Sequence, residues 1–346
     1  MSVDLLNYVR DIRMRGPGRG REWFWPKNAH RHKAIAYALE YEPVTLLLKA
    51  HRFYKRSRML WPLMASNRPS GILLQPSDFR LGRDPRRANS LEISIPIYTG
   101  GGDGTISAAS GGPVRLGSGN RKLIVIHGFY ENEAKRIFDK LQSFNDYDLV
   151  LSTPIRGIGD EFLARFDPGR SVCFLVPNVG RDVFSFLLAA AFVELSPYDH
   201  FVKVHTKRSA HLSYGGDWFW MNVETLIGDK LMTDALFERI DVGRACIYGV
   251  ECRDLQDHFR TNRHWLNLLL DGQPRRTKGQ FVPGTMFAGS GRFLRELAAM
   301  KLHLHRIEEE KGQLDGCLIH ALERYFGYLA RARGGECTTI ETLLTR

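Results

Sequence analysis

The sequence predicts an α/β protein with a mostly parallel central sheet, and two observations support this. Four short runs rich in β-branched and aromatic residues have the composition of buried strands. They are Lys122–Ile126, Tyr147–Ser152, Val172–Val176 and Phe201–Val204. Helical patterns connect the first run to the second and the third to the fourth, and this alternation is typical of parallel sheets.

The connecting helices are predicted from their apolar residues. Residues Glu131–Phe144 carry apolar side chains at helical spacing, and nearly every residue of Val183–Val193 is apolar or alanine. Ser196-Pro197 ends the second helix. Further elements are predicted as helices over Trp218–Ile227, Lys230–Ile240 and Leu314–Phe326, a strand over Ala245–Val250, a strand and turn over Gln280–Gly289, and a helix beginning at Gly291.

Charge and composition divide the chain into predicted regions. Residues 1–60 carry +8 of the net charge of +11, so a basic arm precedes a near-neutral body. We predict a basic, partly helical N-terminal region over 1–66, a Gly/Pro/Ser-rich linker over 67–120, the α/β domain over 121–335 and a C-terminal tail over 336–346.

The five cysteines are scattered without CxxC spacing, which indicates reduced thiols rather than a disulfide scaffold or a zinc site. No apolar run approaches the roughly 20 residues that span a bilayer, and the N-terminus lacks the apolar core of a signal peptide. These features predict a cytoplasmic protein.

Residues 44–64 interleave apolar and basic side chains. This pattern fits a helix on an anionic membrane surface, which would make the protein peripheral at the inner membrane. It fits equally a solvated basic helix packed on the main domain. Nucleic-acid binding is not predicted, because the chain has no RNA-module aromatic motif and no DNA-reading helix pair.

Polar residues follow the third strand in the loop Asn178, Gly180, Arg181 and Asp182. The amide of Asn178 both donates and accepts, Arg181 offers a fork for phosphate, and Asp182 can accept from ribose or sugar hydroxyls. Gly180 lets the backbone approach a ligand closely. Since ligands bind at the carboxyl ends of parallel strands, a site is expected here. A structural Arg181–Asp182 ion pair at the helix start is the alternative.

A second cluster, Lys203, His205 and Lys207, alternates along the fourth strand. In a continuing strand the three side chains share one face, where burying three cations is costly without an anion. A diphosphate is the natural partner. The alternative for His205 is a hydrogen-bonded core residue, and no metal-ligand spacing surrounds it.

A late acidic residue, Asp315, is predicted in the first turn of the helix Leu314–Phe326. Facing a cleft, it could act as the general base for an acceptor hydroxyl. The alternative is a carboxylate that stabilises the helix dipole. The neighbouring Glu323 and Arg324 are predicted to form a structural pair.

Six motifs in order resemble the rhamnan synthesis protein F family, which is associated with bacterial surface polysaccharide and lipopolysaccharide assembly. They are HGFY (127–130), YDLVLST (147–153), VPNVGRD (176–182), YDHFVKVHTKRS (198–209), PGTMF (283–287) and LDGCLIHALERYF (314–326). The resemblance covers roughly residues 121–330. It implies a glycosyltransferase with a GT-A-like nucleotide-sugar-binding fold.

The resemblance also implies roles for individual residues. PNVGRD stands at the Asn-x-Gly position of the GT-A fold and Asp315 at its late acid, while His205-Thr206-Lys207 replaces the Asp-x-Asp metal motif of that fold. Lys203, His205 and Lys207 would then neutralise the diphosphate, so we predict no metal and no cofactor besides the donor. Gly284, Thr285 and Met286 are expected to line the acceptor side, where Trp218, Trp220 or Trp265 could stack on sugar. The alternative for each tryptophan is a core residue.

The resulting prediction is transfer of rhamnose or another surface-glycan sugar, from a nucleotide-diphosphate donor to a glycan or lipid-linked glycan acceptor. Inversion at the anomeric carbon follows from one base and no obvious nucleophile. A non-catalytic module that binds a nucleotide sugar or glycan in an assembly complex is the alternative, and the missing Asp-x-Asp favours it. A glycan-phosphate transferase is a third option.

Overall fold

The computed structural model describes most of the predicted α/β domain. The described residues are 97–98, 105–106, 114–176, 180–207, 215–255, 262–263, 265–267, 269, 279–299 and 315–346. The predicted N-terminal region 1–66, its segment 44–64 and most of the predicted linker lie outside them. The domain boundaries placed there remain predictions.

The described elements alternate between strands and helices along the chain. The strands are β1 Ile97–Tyr98, β2 Thr105–Ile106, β3 Lys122–His127, β4 Asp148–Thr153, β5 Ser171–Leu175, β6 His200–His205, β7 Ile247–Gly249, β8 Arg253–Asp254, β9 Gln280–Phe281, β10 Phe287–Ser290 and β11 Cys337–Thr339. The helices are α1 Glu131–Leu141, α2 Arg156–Arg165, α3 Arg181–Phe192, α4 Gly215–Ile227, α5 Lys230–Phe237, α6 Gly291–Ala299, α7 Leu318–Ala332 and α8 Ile340–Leu344.

Within the described residues, seven strands form the central sheet in the order β11-β7-β10-β6-β3-β4-β5, and the short β1 and β2 extend it beyond β5. Strands β6, β3, β4 and β5 are mutually parallel. Among these seven strands, β10 is antiparallel to both of its neighbours, β6 and β7, while β11 runs parallel to β7. The short β1 is likewise antiparallel to β5 and β2. The predicted α/β class with a mostly parallel sheet is therefore confirmed.

The strand order reverses between β3 and β6, and this reversal positions the site. From β3 the chain proceeds outward through β4 and β5, and α3 then returns it to the other side of β3. Side chains at the carboxyl ends of β3 and β6 consequently meet at a topological switch point. In open α/β sheets this is where ligands bind.

Helices cover both faces of the sheet. On one face Ile124 and Val202 pack with residues of α1, α2 and α4, all in one buried cluster. On the other face lies a group of aromatic rings with centroids about 6 Å apart, contributed by β6, β10, α3, α6 and α7. The group consists of Phe186, Phe201, Phe287, Phe293 and Phe326. No helix among the described residues is both long and apolar enough to cross a membrane.

Two local predictions were wrong, and one helix was missed. Residues 336–346 are not a tail, because β11 pairs with β7 and α8 follows it. The last long helix begins at Leu318 rather than Leu314, because Gly316 adopts φ 85° and turns the chain just before it. Helix α2 was not predicted, since its two glycines dilute the apolar pattern that Ile158 and Phe162 provide.

Candidate active site at the sheet switch point

The candidate site begins where β3 and β6 end side by side. His127 and His205, the last residues of these strands, are partners in the parallel register. Just beyond them, the Thr206 hydroxyl accepts hydrogen bonds from the backbone N–H groups of Phe129 at 2.7 Å and Tyr130 at 3.1 Å. These bonds fix the turn that leaves β3 against the end of β6.

A buried ion pair lies behind this edge. Lys203 is 1% exposed, and its Nζ donates to Asp182 Oδ2 at 2.6 Å and to the backbone carbonyl of Thr285 at 2.8 Å. The Thr285 hydroxyl also donates to Asp182 Oδ2. Three segments thus meet at one carboxylate oxygen: the start of α3, the middle of β6 and the loop before β10. Asp182 Oδ1 makes no hydrogen bond with any described residue.

The electrostatics of this group follow from its burial. Burial would raise the pKa of Asp182, but neighbouring His205 and Lys203 and its hydrogen bonds hold that pKa well below its ordinary value. Burial lowers the pKa of His205 well below its ordinary value, and nearby Lys203 and Lys207 reinforce the shift against the opposing effect of Asp182. Asp182 is therefore ionised and His205 neutral at pH 7.

The sequence predicted that Lys203, His205 and Lys207 form a cluster of three cations that needs a diphosphate. The structure shows fewer unpaired cations. Lys203 and His205 share one face, as alternation predicted, but Asp182 of the same chain already neutralises Lys203. His205 is not a cation, and Lys207 lies beyond the last residue of β6. Its Nζ sits 4.9 Å from the centre of the Trp218 ring, and it pairs with no carboxylate in the described part of the chain. Of the three, Lys207 is the cation that has no carboxylate partner among the described residues.

Arg181 contacts the last long helix rather than its neighbour Asp182, so the alternative of an Arg181–Asp182 structural pair is not observed. Its Nη1 lies 3.2 Å from Nε2 of His320 in α7. Because a guanidinium only donates, this Nε2 accepts, and the ring proton of neutral His320 sits on Nδ1. That Nδ1 is 2.8 Å from Cys317 Sγ. Sequence reasoning assigned no role to His320 or Cys317, since neither stands in a recognisable ligand spacing.

Asp315 lies in the turn before α7, three residues ahead of the first helical residue. Its Oδ1 accepts from Asn262 Nδ2 at 2.9 Å and lies 3.3 Å from Arg324 Nη2. Its Oδ2 makes no hydrogen bond with any described residue, and the side chain is 29% exposed. One oxygen is thus held while the other can accept a proton. Through His320, whose Nδ1 is 4.0 Å from Asp315 Oδ1, this carboxylate adjoins Arg181.

The predicted acceptor side needs correction. The Met286 side chain is fully buried in the core and Thr285 is 2% exposed, so neither side chain can line an open groove. Gly284 is half-buried, at φ 76°, and a Cβ there would lie 2.3 Å from Trp218 Cη2. This loop is held at its other side by Glu323, which accepts from the Gly284 N–H and pairs with Arg324 at 2.6 Å as predicted.

The remaining predicted residues are placed as follows. Gly180 precedes α3 in the left-handed conformation, with φ 67°, and Asn178 lies outside the described residues. Trp218 and Trp220 are half-buried, and the Arg136 guanidinium covers the Trp220 ring at 3.5 Å. No group of three or more His, Cys, Asp or Glu side chains in the described segments is arranged to hold a metal ion.

Comparisons with known proteins extend these observations. Residues 113–263 match the family model of rhamnan synthesis protein F, which confirms the predicted resemblance over that range. The motifs at 283–287 and 314–326 lie beyond it. Proteins described as "Uncharacterized protein WxcX", from two strains of Xanthomonas campestris pv. campestris, are 28% identical over 177 residues. The alignment covers 48% of this chain and 25% of the relative, so the chain spans about a quarter of the length of the curated relatives it matches.

Proposed function

We propose that the α/β domain is a GT-A-like glycosyltransferase. It would move rhamnose or another surface-glycan sugar from a nucleotide-diphosphate donor to a hydroxyl of a growing polysaccharide or lipopolysaccharide. The observation that carries this proposal is the meeting of Asp182 and His205 at the switch point of the sheet. Arg181 and Lys207 lie beside them in the chain, at the start of α3 and just after β6. The match to the rhamnan synthesis family supports the substrate class.

In the proposed reaction Asp315 is the general base. Its Oδ2, which bonds to no described residue, would take the proton of the acceptor hydroxyl. The hydroxyl oxygen would then bond to the anomeric carbon while the bond from this carbon to the diphosphate breaks. Arg181 and Lys207 would stabilise the charge that develops on the leaving diphosphate. The loop with Asn178 and Gly180 would approach the nucleotide. A single base acting on the acceptor implies inversion at the anomeric carbon.

Two parts of the proposal, transfer without a metal and a location at the membrane, come from the sequence alone. His205-Thr206-Lys207 stands where paired carboxylates would hold a divalent metal, so we propose transfer without a metal. The basic segment 44–64 would keep the enzyme at the inner face of the membrane, near a lipid-linked acceptor. Both are open to direct tests.

A thermal-shift screen of the full chain against UDP, dTDP, GDP and CMP, with and without EDTA, tests the donor site. We expect one nucleotide to raise the melting temperature regardless of EDTA. The absence of a shift with every nucleotide, well above millimolar concentration, would count against a donor site. The nucleotide that binds then identifies the sugar donors to assay for turnover.

Asp315→Asn tests catalysis separately from binding. We expect turnover to fall by about a hundredfold or more, with nucleotide affinity unchanged. Glu296→Gln is a matched control, because Glu296 is a similarly exposed carboxylate at 24% and also faces an arginine, Arg333, at 3.1 Å. Unchanged turnover in Asp315→Asn would exclude this residue as the base.

A second candidate is a non-catalytic module that binds a nucleotide sugar within an assembly complex. The observation that favours it is the internal neutralisation of Lys203 by Asp182, which leaves fewer cations to stabilise a leaving group than the sequence indicated. Such a module would bind a nucleotide but show no transfer and no hydrolysis of any donor. Measured turnover of a nucleotide sugar would exclude it.

A further inference from the structure

The two histidines at the switch point, His127 and His205, can act together as hydrogen-bond acceptors, a role that the sequence did not predict. His127 and His205 are 8% and 3% exposed and stand opposite each other at the ends of adjacent parallel strands. Paired residues of neighbouring strands point to the same face of a sheet, so the two rings lie on the side that α3 covers. The position of the proton on each ring decides which ligand groups they can bind.

For His127 the hydrogen-bond network places the proton on Nδ1. This nitrogen is 3.2 Å from the Ser152 hydroxyl oxygen, and that hydroxyl donates to the Ile126 carbonyl at 3.3 Å. Because the serine proton is already used, Ser152 accepts and His127 Nδ1 donates. Burial lowers the pKa of His127 to about 4, so the ring carries one proton at neutral pH. Its Nε2 therefore presents a lone pair.

His205 also carries its proton on Nδ1. Its Nδ1 is sealed from solvent, makes no well-aligned hydrogen bond, and lies 3.4 Å from Asp182 Oδ2. An unprotonated Nδ1 would direct its lone pair at a carboxylate oxygen, so the proton sits on Nδ1. Its Nε2 makes no hydrogen bond with any described residue. Asp182 thus fixes the tautomer of His205, and Nε2 is the acceptor that the ring offers.

We propose that His127 and His205 form a pair of hydrogen-bond acceptors that recognises ligand hydroxyl groups. On the proposed function, on which this inference rests, these belong to the ribose or to the transferred sugar of the donor. Asp182 Oδ1, which bonds to no described residue, is a third acceptor beside them. Phosphate oxygens are themselves acceptors and would be repelled by the two Nε2 lone pairs. The diphosphate therefore lies toward Lys207 and Arg181, and the hydroxyls toward the histidines.

Isothermal titration of wild type and His205→Phe tests this assignment. The ligands are the nucleotide that binds, its analogues that lack one ribose hydroxyl (for dTDP the 3′-deoxy analogue alone), the matching nucleotide sugar, and inorganic pyrophosphate. We expect removal of the recognised hydroxyl, or loss of His205, to weaken binding about tenfold or more. The two losses should not add, and pyrophosphate affinity should be unchanged. A deoxy penalty would identify the ribose, and a variant effect confined to the nucleotide sugar would identify the sugar.

Weaker pyrophosphate binding by His205→Phe, with undiminished deoxy penalties, would overturn the proposal. The proposal would also be overturned if the deoxy analogue lost as much affinity in His205→Phe as it loses in wild type. His205→Gln, which keeps an acceptor oxygen, should recover part of the affinity.

Nitrogen-15 spectra of the ligand-free wild-type imidazoles provide a test that depends on neither nucleotide binding nor the folding of a variant. We expect both Nε2 atoms to be unprotonated at pH 7. A protonated Nε2, or titration of either ring near pH 6.5, would overturn the inference. If no nucleotide binds to wild type, the proposed function fails, and the spectra still decide the state of the histidines.

Discussion

Lys203 and Asp182 form an ion pair that joins the middle of β6 to the first turn of α3, with Nζ 2.6 Å from Oδ2. Two residues beside this pair, Arg181 at φ 53° and Thr285 at φ 54°, have backbone conformations that residues other than glycine rarely adopt. Such conformations cost on the order of 1–3 kcal/mol and persist where the surrounding structure imposes them, often at functional sites. The ion pair and the Thr285 hydrogen bonds supply that constraint here.

The first prediction concerns this pair. Lys203→Met should lower the free energy of unfolding by about 3–5 kcal/mol, because the Asp182 carboxylate would stay buried without its counter-ion. The double variant Asp182→Leu/Lys203→Met should lose less than the sum of the two single losses. Urea denaturation measures all three.

The matched control is Lys230→Met. Lys230 pairs with Asp234 at 2.6 Å, but its side chain is 26% exposed, so the expected loss is below about 1 kcal/mol. Equal losses in Lys203→Met and Lys230→Met would contradict a special role for the buried pair.

The second prediction concerns the loop before β10. Gly284→Ala should destabilise the protein by several kcal/mol, because the backbone is left-handed and the new Cβ would lie 2.3 Å from the Trp218 ring. Gly334→Ala is the control for backbone alone, since it has the same φ of 76° and nothing within 4 Å of the Cβ position. It should cost only about 1–2 kcal/mol. Thermal denaturation compares the two, and similar losses would show that Trp218 does not restrict this position.

The third prediction is a pH dependence of stability. The pKa of His127 is about 4 in the folded protein against an ordinary 6.5, so between these values the unfolded chain binds a proton that the folded chain does not. Stability should therefore fall as pH drops from about 6.5 to about 4, by on the order of 3 kcal/mol from this residue. Asp182, Lys203 and His205 are buried nearby and also titrate or carry charge. The test therefore compares the pH dependence of two proteins that differ only at His127.

The measurement compares the free energy of unfolding of wild type and His127→Gln at several pH values. Glutamine can still donate to Ser152 but does not titrate. The wild-type profile should be steeper than that of the variant in this window and parallel to it above pH 7. Parallel profiles throughout would show that His127 is not buried as a neutral ring.

The fourth prediction concerns metal dependence. We expect transfer activity, once a donor is identified, to persist in excess EDTA. His205-Thr206-Lys207, which the resemblance aligns with the metal motif, contains no carboxylates. Lys207→Ala should reduce turnover by about tenfold or more if this cation stabilises the leaving diphosphate. Activity that EDTA abolishes and Mn²⁺ restores would contradict metal-independent transfer.

Much of the fold was predictable because its signals are local. The runs of buried strand residues and the apolar spacing of α1 and α3 predicted the α/β class and a mostly parallel sheet. β11 could not be predicted, since three residues, Cys337–Thr339, become a strand only by pairing with β7. The start of α7 was also missed, because Asp315 followed by two small residues fits a helix start as well as a turn.

The candidate site divides in the same way. The sequence alone determined that polar residues follow the strands and that Lys203 and His205 share a face, because both depend on chain order and on the two-residue period of a strand. Only the tertiary structure decided that Lys203 is neutralised by Asp182, that His205 is neutral and that Met286 is in the core. Ion pairing, burial and the resulting pKa shifts depend on residues far apart in the chain, which meet only when the sheet and its helices are assembled.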